Sequence, residues 1–159
     1  MTDTIELSGG CQCGAVRYRA DGVLDEAGVC HCRMCQKASG NFGMAFFSAP
    51  ELTFTRGTPG TFESSPGIHR GFCQNCGSPL FMQVEGKPYD MTVGSLDHPD
   101  DLPPMKSQIA IESECRWFRD LASVPKYPLS ATYAGGEPEI TRSYQHPDYD
   151  TEDWEVHHG

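Results

Sequence analysis

The chain reads as a mainly β domain built from short strands, with little helix, and three observations predict this. Turn-forming Gly, Pro, Asn and Asp residues punctuate the sequence at intervals of roughly eight to twelve positions. No stretch sustains the 3.6-residue apolar period of an amphipathic helix. Seven of the eight cysteines gather in three tight clusters, Cys11-Gln-Cys13, Cys30-His-Cys32-Arg-Met-Cys35 and Cys73-Gln-Asn-Cys76.

Between the turns, the β-like segments are Ala15–Tyr18, Met44–Ser48, Leu52–Thr55, Thr61–Ser64, Ile68–Phe72, Leu80–Val84, Asp90–Ser95 and Ser107–Ile111. Thr58-Pro59-Gly60 supplies one turn, and Glu85-Gly86-Lys87-Pro88 a hairpin connection. A turn or two of helix is expected after Cys32, through Lys37, and another around Cys115–Leu121. Phe46, Phe47, Phe54 and Phe81 are expected in the core. Residues 1–145 are expected to form one domain, because the cysteine clusters are spread over its first half and one unit must bring them together. Residues 146–159 carry part of the acidic excess and read as a solvated acidic tail, His157 and His158 being surface residues.

The formal charge of −10 disfavours phosphate backbones, and no basic patch or arm offsets it, so nucleic acid is not an expected partner. No apolar run approaches the roughly 20 residues that span a bilayer, and no secretory signal is visible. The expected compartment is the cytoplasm, where thiols stay reduced and dense cysteines point to metal or catalysis rather than to disulfides.

Seven clustered sulfurs suggest a closed set of four and an open set of three. Zinc takes four ligands in tetrahedral geometry and favours thiolate sulfur. In Cys73-Gln-Asn-Cys76-Gly77 the two-residue spacer lets both sulfurs face one ion, and Gly77 suits the left-handed conformation such a turn requires. Cys11 and Cys13 complete the four if they project from the same side of a strand. Cys30, Cys32 and Cys35 leave one coordination position open, suited to a thiol substrate or to the oxygen of an aldehyde. Cys115, His31 or His69 as a fourth ligand would instead make both sites structural. His31, between two ligands, should point away from the ion as a surface or supporting residue, and His69 reads as a strand-surface histidine. Arg33, Lys37 and Arg70 are nearby cations able to offset the protein's acidity toward an anionic thiol, or plain surface residues. Gly94-Ser95-Leu96-Asp97 ends a strand and is a candidate for the pocket wall.

Taken together, GGCQCGAVRY, CHCRMCQKASG and RGFCQNCGSPL, followed by VGSLDHP and ECRWF…VPKY, resemble the glutathione-dependent formaldehyde-activating enzyme family, which also contains centromere protein V. The resemblance runs from about Ser8 to Tyr127, and every ligand position of its pattern is Cys here. It implies an Mss4-like fold, a stack of small antiparallel sheets around zinc. It implies two zinc ions per chain, a structural one on Cys11, Cys13, Cys73 and Cys76 and a catalytic one on Cys30, Cys32 and Cys35. It also implies that Trp117 packs over the structural unit and that Cys115 lies outside the ligand pattern. The activity implied is that of a carbon–sulfur lyase of the S-hydroxymethylglutathione synthase type, with glutathione and formaldehyde or another small aldehyde as partners. The alternative is a non-catalytic, zinc-stabilised binding module.

Overall fold

Ten short strands in two sheets account for most of the regular structure among the described residues, 5–23, 26–132 and 142–156 of a computed structural model. The smaller sheet joins β1 (Leu7–Gly10), β2 (Arg17–Asp21) and β5 (Glu51–Arg56) in the order β1-β2-β5, all antiparallel. The larger contains β3 (Gly28–Cys30), β4 (Met44–Ala49), β6 (Gly60–Ser65), β7 (Ile68–Phe72), β8 (Pro79–Val84), β9 (Tyr89–Thr92) and β10 (Ser107–Ile109). Its order is β10-β3-β4-β9-β8-β7-β6, and β10–β3 is its parallel pair. The mainly β class expected from the turn spacing is the one observed.

Apolar side chains from both sheets meet in one core. Tyr18 and Ala20 of β2, Phe47 and Ala49 of β4, Leu80 of β8 and Met91 of β9 are fully buried there. Each large apolar side chain so buried contributes roughly 1.5–3 kcal/mol. Phe81 is buried there as expected, with Phe54 half-buried against the same core, and Phe46 is buried in a second, smaller cluster with Cys35 and Met44. Register places Phe47 opposite Met91 and Phe81 opposite Met91 on its other side.

Two strands escape the reading from sequence, and glycine is the reason in both. In β1, Leu-Ser-Gly-Gly lacks β-branched residues, yet a Cβ at Gly9 would stand 2.3 Å from the Ser95 carbonyl oxygen and 2.5 Å from the Tyr18 hydroxyl. The bare backbone lets Gly9 pair with Leu96, a bridge that ties β1 to the segment following β9. In β3, a Cβ on Gly28 would meet the Ser107 hydroxyl at 2.6 Å, so glycine admits β10. The hairpin between β8 and β9 is as expected, closed by the Lys87 N–H donating to the Val84 carbonyl at 2.9 Å, with Gly86 at φ 74°. Asp90–Ser95 is strand only to Thr92, and a 3₁₀ turn over Val93–Ser95 takes the chain off the sheet. Helix α1 (Arg33–Ser39) and a 3₁₀ segment over Arg116–Ser123 occupy the two positions where helix was expected.

The acidic C-terminal segment differs from expectation. It docks across the Cys11–Gly14 turn while its acidic side chains stay exposed: Trp154 Nε1 donates to the Cys13 carbonyl at 2.8 Å, and the His146 N–H donates to the Gln12 carbonyl at 2.7 Å. Asp150 accepts from Arg17 at 2.8 Å, and the Arg56 guanidinium reaches Thr151. One acid of this segment, Asp150, has a cationic partner far away in sequence, which composition alone does not reveal. His157 and His158 lie outside the described residues.

Candidate functional site

The knuckle Cys73–Gly77 follows directly from β7 and leads into β8. The Gly77 N–H donates to the Cys73 carbonyl at 2.8 Å, and the Cys73 N–H to the Ser78 carbonyl at 2.9 Å. Gly77 takes φ 77°, the left-handed conformation that the motif requires. Cys11 and Cys13 reach the same point by a different route from the one expected. They sit on a tight turn after β1, closed by the Gly14 N–H donating to the Cys11 carbonyl at 3.1 Å, rather than on a pleated strand. Gly14 at φ 75° packs under His146, so no Cβ fits there.

The Sγ atoms of Cys11, Cys13, Cys73 and Cys76 all lie within 4.8 Å of one another. Cys11–Cys13 is 3.6 Å and Cys13–Cys73 is 3.8 Å. Disulfide sulfurs sit at about 2.05 Å, so these are separate thiols, as are all eight cysteines. Sulfurs about 2.3 Å from a tetrahedrally held ion are roughly 3.8 Å apart, so the set fits such a cation. Donors already face the sulfurs: the Val16 N–H to Cys11 at 3.2 Å, Asn75 Nδ2 to Cys13 at 3.2 Å, and a Ser78 hydroxyl contact with Cys76 at 3.2 Å. Burial pushes the Cys11 thiol up to about 12. At Cys76 burial is outweighed by the Ser78 hydroxyl and backbone N–H groups, which bring it down to about 6. A cation bound there must displace the protons that remain.

Cys30, Cys32 and Cys35 form the second set, again with all sulfurs within 4.8 Å. Cys30 ends β3, Cys32 is the N-cap of α1, and Cys35 lies in its first turn. The Cys35 N–H donates to Cys32 Sγ at 3.3 Å, so a residue of the cluster also starts the helix. Burial raises the Cys35 thiol to about 12, with Arg70 opposing. At Cys32 burial is outweighed by donors from Cys35, and the thiol falls below its ordinary value. The loop is fastened from outside the cluster. Buried Gln36 donates to the carbonyls of His31 (2.7 Å) and Ser113 (2.8 Å), and the His31 N–H donates to the Ile109 carbonyl at 3.0 Å.

Neither Cys115, His31 nor His69 joins this set among the described residues. His31 is not a surface residue, as one option had it. It is fully buried, with its ring against Phe118 and Phe42 and Nε2 2.8 Å from Gln108 Oε1. The chain alternation that turns it away from the sulfurs turns it into an aromatic pocket. Trp117 packs edge-on to Phe42 beside that pocket and is more than half exposed. The tryptophan over the four-sulfur set is Trp154, which sequence reasoning consigned to a tail.

The three-sulfur set borders a cavity of about 280 Å³ walled by Phe46, Ile68, Met82 and Ile109, with Arg70 and Asp90 as polar lining. An adjoining open groove of about 490 Å³ is lined by Arg33, Lys37, Arg70 and Phe62. The three suspected cations thus share one concavity. Arg33 and Lys37 are exposed, whereas Arg70 is buried. Gly94 to Asp97 line a different cavity, of about 420 Å³, next to Cys11. Asp97 there forms a buried, two-pronged ion pair with Arg17 at 2.6 Å and accepts from Ser8 at 2.6 Å. Burial would raise its carboxyl, but these donors outweigh it and hold Asp97 below the usual carboxylate range.

No helix among the described residues is long and apolar enough to cross a membrane. Curated proteins give no match to the chain. The crystal structure of a Rhodobacter sphaeroides protein shares the fold, with a TM-score of 0.52 and 23% identity over 62% of this chain and 97% of that one. A family model described as glutathione-dependent formaldehyde-activating enzyme matches residues 6–112, a span that takes in both sulfur sets, the cavity and Arg70. The chain belongs to the glutathione-dependent formaldehyde-activating enzyme family.

Proposed function

We propose that this protein is a zinc enzyme of the carbon–sulfur lyase type that joins glutathione, or a thiol like it, to formaldehyde or another small aldehyde. Cys11, Cys13, Cys73 and Cys76 would hold a structural zinc, and Cys30, Cys32 and Cys35 a zinc at the reaction centre. The observation that carries this reading is the inequality of the sets. Four sulfurs saturate a tetrahedral ion, and three beside a 280 Å³ cavity do not. Zinc bound by the three would favour ionisation of a substrate thiol and draw electron density from a carbonyl oxygen.

The protein's own groups supply the rest. The apolar wall of Phe46, Ile68 and Met82 limits water around the reacting carbon. The Cys35 N–H and Arg70 Nη2, 3.4 Å from Cys35 Sγ, hold the sulfurs in place and offset their charge. Arg33 and Lys37, one turn apart on α1, present cations to the groove where the carboxylates of glutathione would lie. Bringing thiol and aldehyde to one cavity supplies proximity, the main contribution open to an enzyme whose adduct also forms unaided. Eight free thiols suit a reducing compartment such as the cytoplasm.

The test pairs native mass spectrometry, which counts metals with and without glutathione, with the rate of adduct formation. Two zinc ions, a glutathione adduct that depends on Cys32, and a rate above background support the reading. One zinc or none in protein purified without chelator would end it.

A further inference from the structure

Arg70 is placed oddly for an arginine. The residue is 6% exposed, and it makes no ion pair with a carboxylate among the described residues. Two of its three nitrogens are engaged: Nε donates to the Ser64 hydroxyl at 3.3 Å, and Nη2 to Cys35 Sγ at 3.4 Å. Nη1 is buried with no hydrogen-bond partner, on a residue that lines the cavity shared with Cys30, Cys32 and Cys35. A buried donor left unmade costs about 1–3 kcal/mol, more for a charged group, so this nitrogen wants an acceptor.

The geometry points to Arg70 Nη1 as the donor that receives the aldehyde oxygen and stabilises it as it becomes an alkoxide. This rests on the thiol–aldehyde reading above. A carboxylate fits less well: the guanidinium fork that would grip both its oxygens is divided between Ser64 and Cys35, leaving one nitrogen for one oxygen. Asp90 and Glu26 line the same cavity and oppose a ligand already anionic. The wall is otherwise largely apolar, suited to a neutral carbonyl compound, and 280 Å³ leaves room for a substituent larger than the hydrogen of formaldehyde.

In the addition, the thiolate sulfur bonds to the carbonyl carbon and the C=O π pair moves onto oxygen. The oxygen then takes a proton from water, balancing the one the thiol released. Arg70 donates a hydrogen bond throughout and keeps its proton. Because negative charge on the oxygen exists only as the bond forms, this contact stabilises the transition state more than the substrate.

The test compares wild type with Arg70→Gln and with Arg70→Lys, which keeps a cation beside Cys35. Turnover is followed with glutathione and propanal, metal content by elemental analysis, and binding of isobutyramide, an unreactive carbonyl compound, by titration calorimetry. At metal content equal to wild type, Arg70→Gln should lower kcat roughly 10²-fold with little change in the glutathione KM, and weaken isobutyramide at least about tenfold. Arg70→Lys should fall between. Rates and isobutyramide binding within threefold of wild type in both variants would overturn the assignment. So would loss of metal from both, which would make Arg70 only a keeper of the sulfurs. Isobutyramide binding that depends on Arg70 in a wild type without turnover would sink the enzyme reading and leave the oxygen site standing. Turnover indifferent to Arg70 would do the reverse.

Discussion

The two sulfur sets have similar local chemistry and opposite surroundings. Cys11 and Cys13 meet Cys73 and Cys76 across some sixty residues, so the four-sulfur set staples the turn after β1 to the β7–β8 connection. The C-terminal segment covers it through Trp154 and His146, and the Arg17–Asp97 pair braces it from beside. The three-sulfur set comes from one six-residue stretch, closes no long loop, and borders a cavity. Ligands drawn from distant elements make a metal part of the fold. Ligands drawn from one short stretch leave the fold nearly independent of it, and free the site for exchange.

The largest effect should follow from Cys73→Ser. Structural zinc contributes roughly 10–16 kcal/mol in small peptides, whereas a domain's net stability is about 5–15 kcal/mol. The variant should be unfolded by circular dichroism at room temperature. Cys32→Ser should instead drop turnover to the uncatalysed background while the melting temperature shifts by only a few degrees, about what 1 kcal/mol does in a domain of this size. If both variants unfold alike, the contrast between the sets disappears and the binding-module reading gains.

A smaller effect is expected beside the closed set. Asp97→Ala strands the guanidinium of Arg17, whose side chain is 3% exposed, and should cost about 3–5 kcal/mol in denaturant unfolding. Asp150, half exposed, can compensate only in part. The same pair sets an acid limit. A carboxyl held below its unfolded value of about 3.9 stabilises the fold above that pH, and the contribution fades as pH falls through the lower folded value. Stability from this pair should therefore be flat from pH 7 down to about 4 and fall only below it; in Asp97→Ala that additional acid loss should be absent. Smallest of all, Trp154→Phe removes one hydrogen bond to the Cys13 carbonyl and should cost about 1 kcal/mol. It should speed metal loss to a chelator from the four-sulfur set and leave the three-sulfur set unchanged.

Local chemistry was the legible part. Cys73-Gln-Asn-Cys76-Gly77 specifies its own turn, because two spacer residues and a glycine settle the backbone within five positions. Cys32 and Cys35 were legible for the same reason, and α1 follows from them. Cys11 and Cys13 were paired correctly for a partly mistaken reason, since a turn and a strand both bring residues two apart to one side. Arg70 was not legible as a buried group, for arginine is usually exposed, and only the register of β7 against β6 and β8 sets it under the sulfurs. Nor was the role of residues 146–156, which dock through Trp154, His146 and the Asp150–Arg17 pair on partners distant in sequence.

The sequence by itself determined the mainly β class, the sulfur clusters and the left-handed glycine of the knuckle, all consequences of interactions within a few residues. Tertiary structure alone decided that Asp97 meets Arg17 across 80 positions, that Trp154 caps Cys13 across 141, and that Arg70 is left with one unmatched donor. The physical reason is that a residue's type limits which partners it accepts, whereas which partner arrives, and whether water is excluded with it, depends on how distant strands stack.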